Sequence, residues 1–328
     1  PLDPPQKMPA LDQPMPFRYA RVVDQGAPLL SRPFTLAQYE ALKSVGGPRD
    51  DPTGLMVERL VGDHFLSVDT TVDVGGVSFT RTVHNQFVET SALKPRPQPR
   101  FRGERLAPGR PFTGLPLAFV WGDDTTPVLC EDRSPCGVVE KHARFRPQET
   151  VRVDGEAYVE GPGGILVPSR AVRVARLHGR PGGIGPDDPW VHIDLDEQTV
   201  VAYEGDTPMY ASLVSSGKEG YETPTGLYRM TRKFLSKRMR AVDEIEGLYS
   251  IEDIPYVMYY YGSYAIHGAY WHDVFGQTRS HGCTNLAPAD ARWIYHWSKP
   301  TVPDTWHAVE NIERGLGIYF SRAGSKHT

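Results

Sequence analysis

Residues 280–285 read Ser280, His281, Gly282, Cys283, Thr284, Asn285, and a second histidine, His267, ends an apolar run a short way upstream. A free thiol with its ordinary pKa of about 8.5 is only a few per cent thiolate at neutral pH, so a working cysteine needs an imidazole beside it. His267 and His281 both qualify, and Gly282 allows the tight backbone turn that brings a thiol and nearby N–H groups to one point. Two plainer readings compete. A lone cysteine is commonly an inert, buried small residue, and His267, His272, His281 and Cys283 together have the donor types of a zinc site. The zinc spacing matches no familiar knuckle, and no metal or cofactor is expected.

Working outward, Tyr256 to Ile266 reads as a strand leading into His267, and Pro288 to Trp297 as a helix stopped by Pro300, with Ala291, Ile294 and Tyr295 on one face. Val191, Ile193 and Leu195 alternate with polar residues and are answered by Val200, Ala202 and Tyr203, which is a hairpin pattern. Further strands are expected at Tyr210 to Val214 and Gly226 to Met230. Tyr259, Tyr261, Tyr264 and Tyr270 fit an aromatic core, since period-two burial accounts for them. Trp271 is expected to line a peptide groove, and Gly268 to Arg279 is the candidate lid. The cationic run from Lys233 to Arg240 reads as a solvated face.

The block from His267 to Asn285 resembles the signature of the L,D-transpeptidase family: a His, then Ser/Thr-His-Gly-Cys, a small or apolar residue, and Asn or Arg. Thr284 stands where an apolar residue is usual. The similarity runs from roughly Trp190 to Glu310 and includes the Thr223, Pro224, Thr225, Gly226 turn. It implies a mixed β-sheet domain with a short helix after the cysteine, acting on tetrapeptide stems of peptidoglycan. In that family the cysteine takes the acyl group at an L-centre, releases D-alanine and passes the acyl group to a diaminopimelate amine. By the same resemblance Cys283 is the nucleophile, His267 its base, His281 an orienting residue, and Gly282 with the Cys283 N–H an oxyanion site. Ser280, Asn285, Trp271, Tyr259 and Arg279 are expected to bind substrate or support the loop. An L,D-carboxypeptidase or wall amidase using the same cysteine is the nearest alternative, and a wall-binding protein with a vestigial catalytic domain the next. The substrate implies a periplasmic or otherwise extracytoplasmic, wall-associated location.

The remainder of the 328 residues is consistent with an exported, several-module protein. A formal net charge of -4 gives no grip on nucleic acid. No run of about 18 apolar residues is present, so no membrane-spanning helix is expected. The chain begins at Pro1 without Met, which suggests a processed or trimmed form, and a signal or anchor segment is not expected within it. Cys130 and Cys136 read as a local disulfide or as two buried small residues. Residues 1–16 are a Pro-rich tether, and Lys94 to Arg102, with Pro95, Pro97 and Pro99, reads as a second one. Thr35 signals a helix ended by Gly46 and Gly47.

Between and beyond these, two β segments superpose at constant offset. Val72, Val74, Gly76 and Phe79 fall on Val151, Val153, Gly155 and Tyr158, and Phe87, Val88, Thr90, Ala92 and Leu93 on Leu166, Val167, Ser169, Ala171 and Val172. The pair resembles bacterial SH3-like modules. The expected organisation is therefore mainly β: SH3-like modules at 17–98 and 112–178, a catalytic domain at 187–312, and a C-terminal tail at 313–328.

Overall fold

A computed structural model describes residues 9–323 apart from 11, 33, 244–246 and 304–305. The tether expected at 1–16 and the tail at 313–328 thus lie partly outside the described residues. The protein is mainly β, with two α-helices among the described residues, Leu36–Leu42 and Pro288–Trp297. It divides into two compact units, one of residues 1–98 with 236–255, the other of 99–235 with 256–328.

In the first unit strand Asp63–Val74 turns back on Val77–Thr82, which pairs in turn with Phe87–Glu89. Gly75 and Gly76 at the hairpin tip both have positive φ, the conformation that a two-residue turn matched to strand twist requires. The same architecture recurs in the second unit, 79 residues later. Val77–Thr82 corresponds to Glu156–Glu160, Phe87–Glu89 to Leu166–Pro168, and Leu93–Arg96 to Val172–Ala175. The registers repeat as well. Val72↔Phe79 becomes Val151↔Tyr158, and Thr80↔Val88 becomes Val159↔Val167. Asp154 and Gly155 keep the positive φ of the glycine pair. Helix Leu36–Leu42 starts at a capping box in which Thr35 and Gln38 satisfy each other's backbone N–H, and it ends before the glycines expected to stop it.

A polar cluster also belongs to the first unit. Segment 236–255 supplies Glu252 and Asp253, both buried. Asp253 Oδ2 accepts from Ser67 Oγ at 2.6 Å and lies 2.8 Å from His84 Nε2, while Glu252 accepts from the Ser67 N–H at 3.0 Å. Strand Gly247–Tyr261 joins this unit by parallel pairing, Tyr249↔Asp63 to Ile251↔Phe65.

Three expectations are corrected. The tether expected from Lys94 begins as strand Leu93–Arg96, paired with Arg18–Val22; Pro95 fits an edge position, where no ladder N–H is missed. Further along it, Phe101 is buried in the core of the second unit. The stretch 313–328, expected as a tail, contains strand Gly317–Ser321, an apolar run held between Pro189–Asp194 and Gly226–Arg229. Lys233, expected on a solvated face, is fully buried: its ammonium donates to Ser298 O at 2.8 Å and Pro300 O at 3.0 Å and sits over the Tyr295 ring. Cys130 and Cys136 are disulfide-bonded.

The second unit carries a mixed sheet in the order Gly226–Arg229, Gly317–Ser321, Pro189–Asp194, Thr199–Glu204, Thr207–Leu213, Glu104–Arg105, with Gly317–Ser321 parallel to Pro189–Asp194. Strand Tyr264–Gly268 pairs antiparallel with Gly247–Tyr261 and parallel with Thr284–Leu286. Behind these strands a core gathers Phe101, Phe119, Trp190, Tyr203, Phe275 and Ala287, with Trp190 stacked on Tyr203. Helix Pro288–Trp297 buries Ala291, Ile294 and Tyr295, the face that its sequence pattern gives.

Candidate active site

Parallel pairing sets Ile266 opposite Thr284 and His267 opposite Asn285. Paired residues share a face and alternate residues along a strand return to it. Cys283 stands one residue before this paired stretch, its thiol reached by the Ala265 backbone N–H, so it comes from the segment adjacent to the one that carries His267, and Ala265 shares the face of His267. Tyr259, paired with Ala265, joins that face from the third strand. The cysteine immediately precedes strand Thr284–Leu286, so its backbone is held by the sheet on one side and by the Ser280 turn on the other.

The turn is tied in three places. Ser280 Oγ donates to the Cys283 carbonyl and accepts from the Gly282 N–H at 3.1 Å. Thr223 Oγ1 donates to the Gly282 carbonyl at 2.7 Å and accepts from the Gly217 N–H at 2.9 Å. Segment 215–217 runs alongside, bridging Ser215 to Asn285 and Gly217 to Ser280. Gly282 has φ +110°, and a Cβ there would lie 2.5 Å from Tyr264 Cε1, so only glycine fits. The Gly282 N–H, one of the two expected oxyanion donors, is held by Ser280 Oγ in this structure.

Electrostatics at the site are dominated by burial. His267 is buried, and its pKa is lowered from the usual imidazole value to about 4 by burial. Its Nδ1 lies 3.3 Å from the Gly268 carbonyl, a contact that favours a proton on Nδ1. Cys283 is half-buried overall, and burial pushes its thiol up to about 11, against a lowering contribution from the Ala265 backbone N–H. The Sγ is 3.7 Å from the Ser263 carbonyl, within reach of a weak S–H donation. Resting thiol and imidazole are thus both neutral.

The other expected residues distribute unevenly. Trp271 is half-buried with its ring 5.7 Å from that of His267, and it also packs on the core. Asn285 holds His272 Nε2 at 3.0 Å. Tyr259 is buried beneath Arg232, which lies over its ring at 4.4 Å. His281 meets the edge of Tyr221 at 4.6 Å. Arg279 is exposed, with only its backbone N–H tied, to Ser216 O. Of the tyrosines expected in the core, Tyr270 is there, whereas Tyr261 is exposed at a strand end. Among the described residues, the three-donor group close enough to hold a metal is His84, Glu252 and Asp253, not the His and Cys set around Cys283.

Sequence reasoning missed Ser216, Gly217 and Asp290. Asp290 is fully buried on the helix after the cysteine, where it accepts from Gly103 N at 2.7 Å, Tyr210 OH at 2.7 Å and Ser212 Oγ. An acidic residue in a first helical turn is ordinary, so nothing local marks this one as an anchor.

Residues 188–305 match the model of the L,D-transpeptidase catalytic domain family (YkuD). Over this segment the chain is similar to L,D-transpeptidase catalytic domains. Solved structures similar to the chain include an L,D-transpeptidase from Enterococcus faecium, at 19% identity over 42% of this chain and 50% of that one, TM-score 0.34. An L,D-transpeptidase from Mycobacterium smegmatis aligns at 17% identity over 53% and 76%, TM-score 0.33. L,D-transpeptidase 3 from Mycobacterium tuberculosis, solved with a faropenem-derived adduct, aligns at 18% over 52% and 76%, TM-score 0.34. The chain spans half the length of the first of these. No curated protein matches the chain. The matched segment contains His267, the turn at Ser280 and Cys283, together with helix Pro288–Trp297.

Proposed function

We propose that the protein forms peptidoglycan cross-links by L,D-transpeptidation, with Cys283 as nucleophile and His267 as general base. The observation that supports this reading is the parallel pairing of the strand that carries His267 with the strand that Cys283 immediately precedes, which brings the imidazole and thiol segments side by side. A thiol at about 11 beside an imidazole at about 4 does not form a resting ion pair. The proton therefore moves to Nε2 as Sγ attacks the carbonyl carbon at the stem's L-centre. The S–C bond forms, and the Cys283 N–H, with that of Gly282, is the oxyanion donor that the resemblance implies. Collapse breaks the C–N bond, and His267 returns its proton to the leaving amine of D-alanine. A diaminopimelate amine of a second stem then attacks the thioester and releases the thiol.

Trp271 and Tyr259 border the face where the stem binds, while Ser280, Thr223 and Asn285 hold the turn and His281 orients it. The wall substrate places the protein outside the cytoplasmic membrane. The Cys130–Cys136 disulfide supports an oxidising compartment. The duplicated hairpins support the reading of two SH3-like modules ahead of the catalytic domain.

The test is mass spectrometry of the protein and its Cys283→Ala variant after incubation with a disaccharide-tetrapeptide. Cross-linked dimers with loss of D-alanine, absent from the variant, are expected. Tripeptide without dimer would reassign the protein as an L,D-carboxypeptidase, and products unchanged in the variant would remove Cys283.

A further inference from the structure

Helix Pro288–Trp297 has a second face that the reaction does not use. Arg292 and His296 are one turn apart on it, as are Trp293 and Trp297. Opposite lies the segment from Glu104 to Arg110, whose strand Glu104–Arg105 pairs with Tyr210 and Ala211 at the edge of the mixed sheet. Between them is a cavity of about 450 Å³ lined by residues that include Arg105, Arg110, Arg292, Trp293, His296 and Trp297.

Two properties of this cavity point to a ligand. The first is charge: three guanidiniums gather there on a chain whose formal net charge is -4. Arg105 and Arg110 are exposed and make no ion pair among the described residues. Arginine forks are suited to carboxylates, and a concave wall strengthens their field. The second is a fixed aromatic wall. Tyr210, Trp293 and Trp297 stack in series, at 4.3 Å with an interplanar angle of 14° and at 5.3 Å with 19°. Trp297, the half-buried end of the stack, is locked by its Nε1–H donating to Glu204 at 2.8 Å. A rigid indole with its polar edge already satisfied presents an apolar plane at little entropic cost, the surface on which the C–H face of a pyranose ring packs.

We propose that this cavity binds an acidic glycan strand, with sugar faces against Trp297 and carboxylates on Arg105 and Arg110. The choice of a glycan from the cell wall rests on the proposed wall substrate; the pairing of cations with indoles does not. The helix that carries Trp293 and Trp297 begins just after strand Thr284–Leu286, so the site holds the sugar chain close in sequence to the turn that carries Cys283.

The test uses the full chain and stem-free wall glycan strands, whose lactyl groups are then free carboxylates, with neutral chitin oligosaccharides as the control. Binding is measured by calorimetry for the wild type, Trp297→Ala and the double variant Arg105→Glu with Arg110→Glu. Each charged contact of this kind is worth about 1.5–3 kcal/mol, so the double variant is expected to bind acidic strands at least about tenfold more weakly. The arginines are exposed, so this variant keeps its fold even if Trp297→Ala does not. Release of D-alanine from a soluble disaccharide-tetrapeptide is expected to stay at the wild-type rate in both variants. Wild-type affinity in the double variant, or equal binding of neutral and acidic chains, overturns the site. Failure of the transpeptidase reading shows separately, as absent turnover in the wild type with glycan binding still lost in the variants.

Discussion

Replacing Trp271 with alanine tests the electrostatics of the site directly. Burial holds His267 near 4 instead of 6.5, a shift of about 2.5 units, equivalent to about 3 kcal/mol against charging the ring. The Trp271 ring lies 5.7 Å from the imidazole and is the half-buried part of its cover. Its removal admits water to that side only, so a partial recovery of about one unit, or about 1.4 kcal/mol, is expected. A protonated imidazole cannot take the thiol proton. The acid limb of acylation therefore reports His267, lying near about pH 4 in the wild type and near about pH 5 in Trp271→Ala. Single-turnover acylation by a tetrapeptide donor, followed by intact-protein mass spectrometry across the acid range, measures both limbs. Coincident limbs, or a wild-type limb near the ordinary imidazole value, would refute the argument that burial sets the base.

Gly282→Ala is expected to cut acylation by at least about a hundredfold with the catalytic pair intact, because its Cβ would sit 2.5 Å from Tyr264 Cε1 at a φ of +110°; wild-type acylation rates would show that the turn can yield. Thr223→Val leaves the Gly282 carbonyl and the Gly217 N–H without their partner, a cost of about 1–3 kcal/mol, read as a fall in unfolding free energy together with slower acylation. Lys233, buried with its pKa lowered to about 7, binds fewer protons folded than unfolded between about pH 7 and its ordinary value of 10.5. Stability should therefore rise with pH across that window, by at most about 1.4 kcal/mol per unit, and Lys233→Met should lack that rise in denaturant titrations; parallel slopes would mean that the ammonium is not buried in solution.

The candidate site was legible because its chemistry is compressed into adjacent positions: a thiol, two imidazoles and a glycine need only the turn and the strand that local sequence specifies. The helix Pro288–Trp297 was legible for the same reason, since its apolar face and terminating Ser298–Pro300 are local. What escaped depends on distant partners. Lys233 looks like any member of a cationic run until Ser298 and Pro300 supply its oxygens. Asp290 looks like an ordinary first-turn acid until Gly103, Tyr210 and Ser212 converge on it. The run Leu316 to Phe320 could be named a strand only by knowing that Pro189–Asp194 leaves an edge for it. Proline misled in the opposite sense, since Pro95 lies inside Leu93–Arg96, an edge strand that tolerates it, where the proline pattern alone suggests a tether.

The split of the first unit into 1–98 and 236–255 has a consequence for the order in which the protein can be made. A ribosome delivers Ser67 and His84 long before Glu252 and Asp253, so the N-terminal unit waits for a hairpin encoded inside the catalytic domain to complete its polar cluster. Cutting the gene at the apparent boundary after Gln98 would leave the Ser67 N–H and His84 without those carboxylates, and a catalytic fragment started at 188 would carry Glu252 and Asp253 without Ser67 and His84. The N-terminal unit is therefore exchanged or inherited whole only when residues 236–255 travel with residues 1–98.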